Sequence, residues 1–185
     1  MAVLALLIGI LLPALLRARG EAASVICMSN WRQIHYAETF YRSDNEDWLC
    51  MAWNWTPDEN NWRWYDVRKG ILGGYLDTLL IDPASSKWQD HYGTNYGRNS
   101  HVVGWRTALG RDRDGWARYK MADLSSMKRE DVILGADSFG YITWAGLEAR
   151  HADRTNLLLL DGHAESAKPD RLKTILKTTN IMSAE

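Results

Sequence analysis

MAVLALLIGILLPALLRARG, residues 1–20, decides how this chain can fold, because residues 1–16 carry no charged side chain. As a helix, residues 1–16 rise ~24 Å at about 1.5 Å per residue. The hydrocarbon core of a bilayer is ~30 Å thick. We therefore expect this segment in a membrane or among other apolar helices, although it is short for a complete span.

Two other interpretations of the apolar segment remain open from the sequence. A signal peptide has basic residues before its apolar core and a small-residue cleavage site after it, whereas Arg17 and Arg19 follow the core here. A buried core helix would need the rest of the chain to cover a helix that is apolar on every side. Pro13 lies four residues after Gly9, and this pair predicts local unwinding or a kink between them.

The helix is predicted to continue to about Arg42. Apolar residues recur at helical spacing, while Arg32, Gln33 and Glu38 are assigned to the other side of the helix. The apolar face comprises Ala23, Cys27, Trp31 or Asn30, Ile34, Ala37 and Tyr41. A polar run over residues 43–47 ends the helix. The chain thus divides into an assembly helix, residues 1–43, and a globular α+β head, residues 44–185.

Two buried strands and a hairpin are predicted in the second half of the head. Residues 131–138 and 156–160 are short apolar runs that indicate buried strands. Asp161-Gly162 then separates the second run from a return strand over residues 163–166. An Asp-Gly pair between two extended runs is typical of a β-hairpin. A short helix is expected over residues 169–176.

Composition limits the classes of function. The net charge of −1 gives no general reason to expect nucleic-acid binding. Ten Trp and eight Tyr against two Phe indicate many half-buried or interfacial positions. Four tryptophans of the head could pack as a core or form a glycan-stacking, adhesive surface: Trp53, Trp55, Trp62 and Trp64.

The cysteines and histidines leave two further alternatives. Cys27 and Cys50 could form one disulfide or remain a pair of buried thiols. His151, Asp161 and His163 could converge as metal ligands of an enzyme. The favoured alternative is that Asp161 belongs to a tight turn and His151 is a packing residue. No catalytic residue, metal or cofactor is therefore assigned, and the chain lacks a C-x-x-C zinc pattern.

Several ordered segments resemble a known family. Residues 11–19 resemble the LLPAL-x-x-AR end of the N-terminal helix in bacterial type IV pilin-like proteins, in particular the prepilin-type, pseudopilin-like group of planctomycetes. Residues 27–34 are similar to that group's C-x-S-N-L-x-Q-I segment. Matches to its Y-x-x-D-N, Y-G-x-N-S and H-x9-D-G motifs lie at residues 41–45, at residues 96–100, and at His151 with Asp161-Gly162; His163 follows directly.

The resemblance implies a type IV pilin-like fold, a long N-terminal α-helix packed on a small antiparallel β-sheet head. It implies a non-enzymatic subunit of a helical filament, a pilus or a secretion pseudopilus. Its expected partners are identical subunits, the inner membrane before assembly, and an assembly machinery, and the filament would lie at the cell surface. The predicted filament interface comprises Leu4, Leu7, Ile8, Leu11, Leu12, Pro13, Leu15 and Leu16.

The chain departs from the family's pattern in two places. The family's helix begins several residues earlier, after a basic leader, and carries a Glu near its start. We therefore expect either that residues precede Met1 or that the subunit is altered. The family's Cys-Pro-Ser turn is replaced by Asp82-Pro83-Ala84-Ser85, so the usual partner of Cys27 is absent; either Cys50 replaces it or Cys27 stays a free thiol.

Overall fold

A computed structural model shows an α+β chain in which one long helix packs on a small antiparallel sheet. The structure describes residues 2–50, 71–76, 80, 83–84, 96–98, 119–137, 147, 149–168, 170–172 and 175. Helix α1 spans Ala2–Asp44. Four strands form the sheet: β1 (Tyr96–Arg98), β2 (Ile133–Asp137), β3 (Thr155–Leu159) and β4 (Ala164–Ala167). Short 3-10 helices cover Ile71–Tyr75, Met121–Leu124 and Arg129–Asp131.

The sheet has the simplest antiparallel order, β1-β2-β3-β4. The hairpin of β3 and β4 is confirmed, with Leu158 opposite Ala164 and with Gly162 at φ +90° in the turn. The buried strand expected over residues 131–138 is confirmed as β2. Residues 170–172 and 175 are helical, as expected for the last helix.

Helix α1 is continuous, so of the two alternatives between Gly9 and Pro13 the local unwinding is wrong, whereas the kink stays a prediction. Proline removes one backbone donor and crowds the carbonyl four residues back. In α1 that carbonyl belongs to Gly9, and the helix nevertheless continues through Pro13.

The second half of α1 packs on one face of the sheet. Its buried side chains are Cys27, Trp31, Ile34, Ala37 and Tyr41, which confirms the predicted apolar face except at Ala23, which is only half-buried. Leu134, Leu158 and Leu160 of the head join them in one core cluster. Ile133, Leu157 and Leu159 lie in a second cluster with Leu172 and Ile175, on the other face of the sheet.

A β-bulge in β2 decides which way Asp137 points. The pairing of β2 with β3 shifts register between Ile133 and Gly135. A bulge adds one residue to a strand and so changes which side chains share a face. Ile133 and Ala136 consequently lie in the same cluster although they are three residues apart. Asp137 faces α1, where its carboxylate accepts a hydrogen bond from Trp31.

Glu38 was assigned to the polar side of α1, and this assignment is wrong. Its side chain is completely buried, and Oε1 accepts the backbone N–H of Cys50 at 2.6 Å. After α1 the chain turns through Glu46 and Asp47, both with positive φ, and folds back over the helix. Residues 49 and 50 thereby cover the Glu38 side chain, which would otherwise face solvent.

Candidate functional site

The first half of α1 exposes an apolar surface that nothing in the described residues covers. The most apolar 18-residue window of the helix has a mean hydropathy of 1.9, and none of it is buried. By length and composition, this helix could cross a membrane. Within the described residues the head does not enclose the segment, which is evidence against the alternative of a buried core helix.

The residues predicted as the filament interface all lie on this surface. Their side chains, Pro13 apart, are 53% to 68% exposed; they are Leu4, Leu7, Ile8, Leu11, Leu12, Leu15 and Leu16. Pro13 is exposed among them. Burying one such side chain contributes about 1.5–3 kcal/mol, so covering the set amounts to on the order of 10 kcal/mol per chain. That free energy is available to a membrane or to other copies of the chain.

The apolar surface continues along the half of α1 that carries the head. Val25, Tyr36 and Phe40 are 61% to 63% exposed, on the side of the helix that faces away from the sheet. At about 100° per residue these three side chains lie within about 60° of one another on the helix. A second part of α1 thus presents large apolar side chains to solvent.

The family-signature residues separate into two places. Asp161, Gly162 and His163 form the hairpin turn, where the Asp161 carboxylate accepts the backbone N–H of His163 at 2.8 Å. Both Asp161 and His163 are exposed. His151 is instead buried, and the carboxylate beside its Nε2 atom is that of Asp137, 3.3 Å away. The hypothesis that His151, Asp161 and His163 converge as metal ligands is therefore wrong, and the interpretation of Asp161-Gly162 as a tight turn is confirmed.

Gly162 also joins the turn to α1. A Cβ atom at this position would lie 2.4 Å from Nε2 of His35. The turn therefore requires glycine for two reasons, its positive φ and its close approach to a helix side chain. The Asp-Gly signature has a structural role in holding the hairpin against the helix.

Asp137 is the centre of a buried polar cluster between α1 and the sheet. Its Oδ1 accepts a hydrogen bond from Nε1 of Trp31 at 3.2 Å, and its Oδ2 accepts the backbone N–H of Asn156 at 2.9 Å. Asn156 also accepts a hydrogen bond from the Ser24 hydroxyl at 2.9 Å. Burying a carboxylate is costly unless it is paired and hydrogen-bonded, and these contacts supply that compensation.

Cys27 and Tyr96 complete the cluster on the α1 side. The Tyr96 hydroxyl accepts a hydrogen bond from Nδ2 of Asn30 at 2.7 Å and donates one to Sγ of Cys27 at 3.5 Å. The Tyr96 ring meets Trp31 edge to face, with ring centroids 4.9 Å apart. Cys27, Asp137 and His151 bring one ligand-type atom each to within 4.8 Å of one another.

The turn that carries His151 was not apparent in the sequence. His151 and Arg154 exchange both backbone hydrogen bonds, and Ala152 and Asp153 between them have φ of 50° and 60°. This is the geometry of a two-residue turn that usually contains Asn-Gly. Because Ala-Asp does not signal such a turn, the turn could not be expected from the sequence, whereas the interpretation of His151 as a packing residue agrees with its burial.

An open groove of about 940 Å³ reaches the cluster from the surface. One wall is α1, at Glu21, Ser24, Val25 and Met28, and the other includes His151 and the residues that follow it. Charges of both signs border the groove, among them Glu21, Asp153, Arg154 and Lys168.

Cys27 and Cys50 are both buried and are not joined by a disulfide. Of the two alternatives, a disulfide or a pair of buried thiols, the structure has the second. Trp53, Trp55, Trp62 and Trp64 lie outside the described residues, so the glycan-stacking surface stays a prediction. Comparison of the chain with family models, with curated proteins and with solved structures finds no match.

Proposed function

We propose that this chain is a structural subunit of an extracytoplasmic helical filament of the type IV pilus or pseudopilus kind. The observation that carries the proposal is the exposed, uncharged start of α1, residues 3–16, on which at least seven large apolar side chains have no cover from the described part of the chain. The ordered motif resemblance over residues 11–19, 27–34 and 151–162 supports the same class, and no catalytic step is part of it.

The continuity of α1 supports retention of the apolar segment. A secretory signal is followed by a cleavage site and removed. Here the helix runs without a break from the apolar half into the half that packs on the sheet, through Gly20, which lies against Ala152 of the His151 turn. Removal of the first half would require cutting this regular helix.

The outer face of α1 favours a filament over a simple membrane anchor. A bilayer would cover only the N-terminal half and would leave Val25, Tyr36 and Phe40 in water. Packing of α1 against neighbouring helices would cover both halves together. A single head-to-tail contact, repeated without closing, produces an open helical polymer.

Variants at Leu11 test the proposal, because this side chain is 68% exposed and lies far along α1 from the head. Leu11→Asp should abolish filaments seen by negative-stain microscopy, since a carboxylate cannot be buried unpaired among apolar helices. The head should stay folded by near-ultraviolet circular dichroism.

Leu11→Met is the matched control, because a volume-conserving apolar exchange is well tolerated. It should assemble as the original chain does. Filaments of normal length and number from Leu11→Asp would refute the proposed interface.

A further inference from the structure

The cluster of Cys27, Asp137 and His151 has the composition of a transition-metal site. A thiolate, a carboxylate and an imidazole are the three side-chain types that bind zinc in proteins. The three residues come from α1, from the end of β2 and from the turn before β3, and each is at most 1% exposed. Buried ligands from separate elements would be joined by one ion.

The distances agree with a common ion. Two nitrogen or oxygen ligands about 2.0–2.1 Å from a tetrahedral zinc ion lie about 3.3 Å from each other. Nε2 of His151 lies 3.3 Å from Oδ2 of Asp137. The sulfur of Cys27 is within 4.8 Å of both, and the side chain of Cys27 would move closer to the other two ligands when an ion binds.

The surrounding hydrogen bonds orient the ligands as outer-shell partners do in metal sites. Trp31 and the backbone of Asn156 fix the Asp137 carboxylate and leave it further acceptor capacity. Tyr96 is itself held by Asn30 and directs its O–H at the Cys27 sulfur. A donor to sulfur favours the thiolate, which is the form that binds a metal.

Charge favours a divalent ion at the cluster, which lies beside the groove. A Cys27 thiolate and an Asp137 carboxylate carry two negative charges, which one divalent cation balances while the imidazole stays neutral. The groove between α1 and the His151 turn is lined by His151 itself.

We infer that Cys27, Asp137 and His151 bind one divalent ion of the zinc class, which fastens α1 to the sheet. The ion has a structural role, and its binding does not depend on whether the chain assembles into filaments. Three protein ligands leave a fourth position for water.

Cobalt substitution of the full-length chain in detergent tests this inference. After treatment with a chelator and under a non-thiol reductant, addition of Co(II) should produce a sulfur-to-cobalt charge-transfer band that saturates at one ion per chain. Zinc should displace the cobalt and raise the midpoint of thermal unfolding. A chain that binds less than one ion per molecule, or that shows no such band, overturns the inference without any variant.

Two cysteine variants identify the ligand. Cys27→Ser should lose the band, whereas Cys50→Ser should keep it, because Cys50 is an equally buried thiol outside the cluster. Asp137→Asn should weaken zinc binding by more than about tenfold, since changes even to outer-shell partners cost about 10–100-fold. A band that survives Cys27→Ser, or that disappears in Cys50→Ser, would show that the ligand set is wrong.

Discussion

At the scale of single residues, Gly162 connects the signature motif to the fold. Its φ of +90° is a backbone conformation that residues other than glycine rarely adopt, and its missing Cβ makes room for His35 of α1. The sequence marks this position as a hairpin turn, and the structure adds its close approach to His35. The same turn leaves the Asp161 and His163 side chains in solvent, away from the buried cluster around His151.

Gly162→Ala should destabilise the head, because alanine at positive φ costs about 1–2 kcal/mol and its Cβ would also displace His35. Urea unfolding of the full chain in detergent measures the loss. In a His35→Ala background the steric part of the cost should disappear and the backbone part should remain.

Gly20→Ala is the matched glycine control. A Cβ at this helical position would meet Ala152 only at ordinary contact distances of 3.8 and 3.9 Å. Alanine is favoured over glycine in a helix by about 1 kcal/mol, so the chain should be unchanged or more stable. Equal unfolding midpoints for the two alanine variants would contradict the role given to Gly162.

At the scale of elements, the return of the chain after α1 depends on Glu38. The Glu38 carboxylate accepts the N–H of Cys50. Two backbone hydrogen bonds also hold the returning segment: the N–H of Leu49 donates to the carbonyl of Tyr119, and the N–H of Met121 donates to the carbonyl of Asp47. The charged side chain is therefore part of the connection between the helix and the head.

Glu38→Ala should lower the free energy of unfolding by about 1–3 kcal/mol, because it leaves the buried N–H of Cys50 without its acceptor. Glu38→Gln keeps an acceptor oxygen of the same length and should lose less. Thermal unfolding compares the two variants. If Glu38→Gln lowered the free energy of unfolding as much as Glu38→Ala, the amide oxygen would not replace the carboxylate oxygen as acceptor. That result would contradict the role given to Glu38.

Regular periodicity and turn chemistry made several elements predictable from the sequence. The apolar spacing of Cys27, Ile34 and Tyr41 marked the packed face of α1, and Asp161-Gly162 marked the hairpin. These signals are local, so they survive without knowledge of the rest of the chain. The unwinding predicted at Pro13 is wrong, because the prediction considered only the local cost of proline in a helix and the helix stays continuous.

The polar cluster was less predictable, because its geometry depends on contacts between distant segments. The bulge in β2 turns Asp137 toward α1, and a turn of Ala152-Asp153 buries His151. Neither feature has a strong sequence signal. A search for closely spaced cysteines, the usual sequence pattern of a zinc site, also misses a site to which three separate elements contribute one ligand each.

At the scale of the whole molecule, α1 divides into an exposed apolar half and a half that carries the head. The exposed half is a surface that the described part of the head leaves uncovered, and its leucines extend around the helix. The hydrophobic effect favours any arrangement that removes this surface from water. In the proposed filament, copies of α1 remove it from water together, along the axis of the polymer.

Electron cryo-microscopy of the full-length chain, released from its membrane without detergent, tests the central claim most directly. We predict helical filaments in which residues 3–16 of every copy lie near the axis, packed on one another, while the sheet and the groove at His151 face outward. Monomers dispersed in detergent-free buffer, or filaments with residues 3–16 on the outside, would contradict the account.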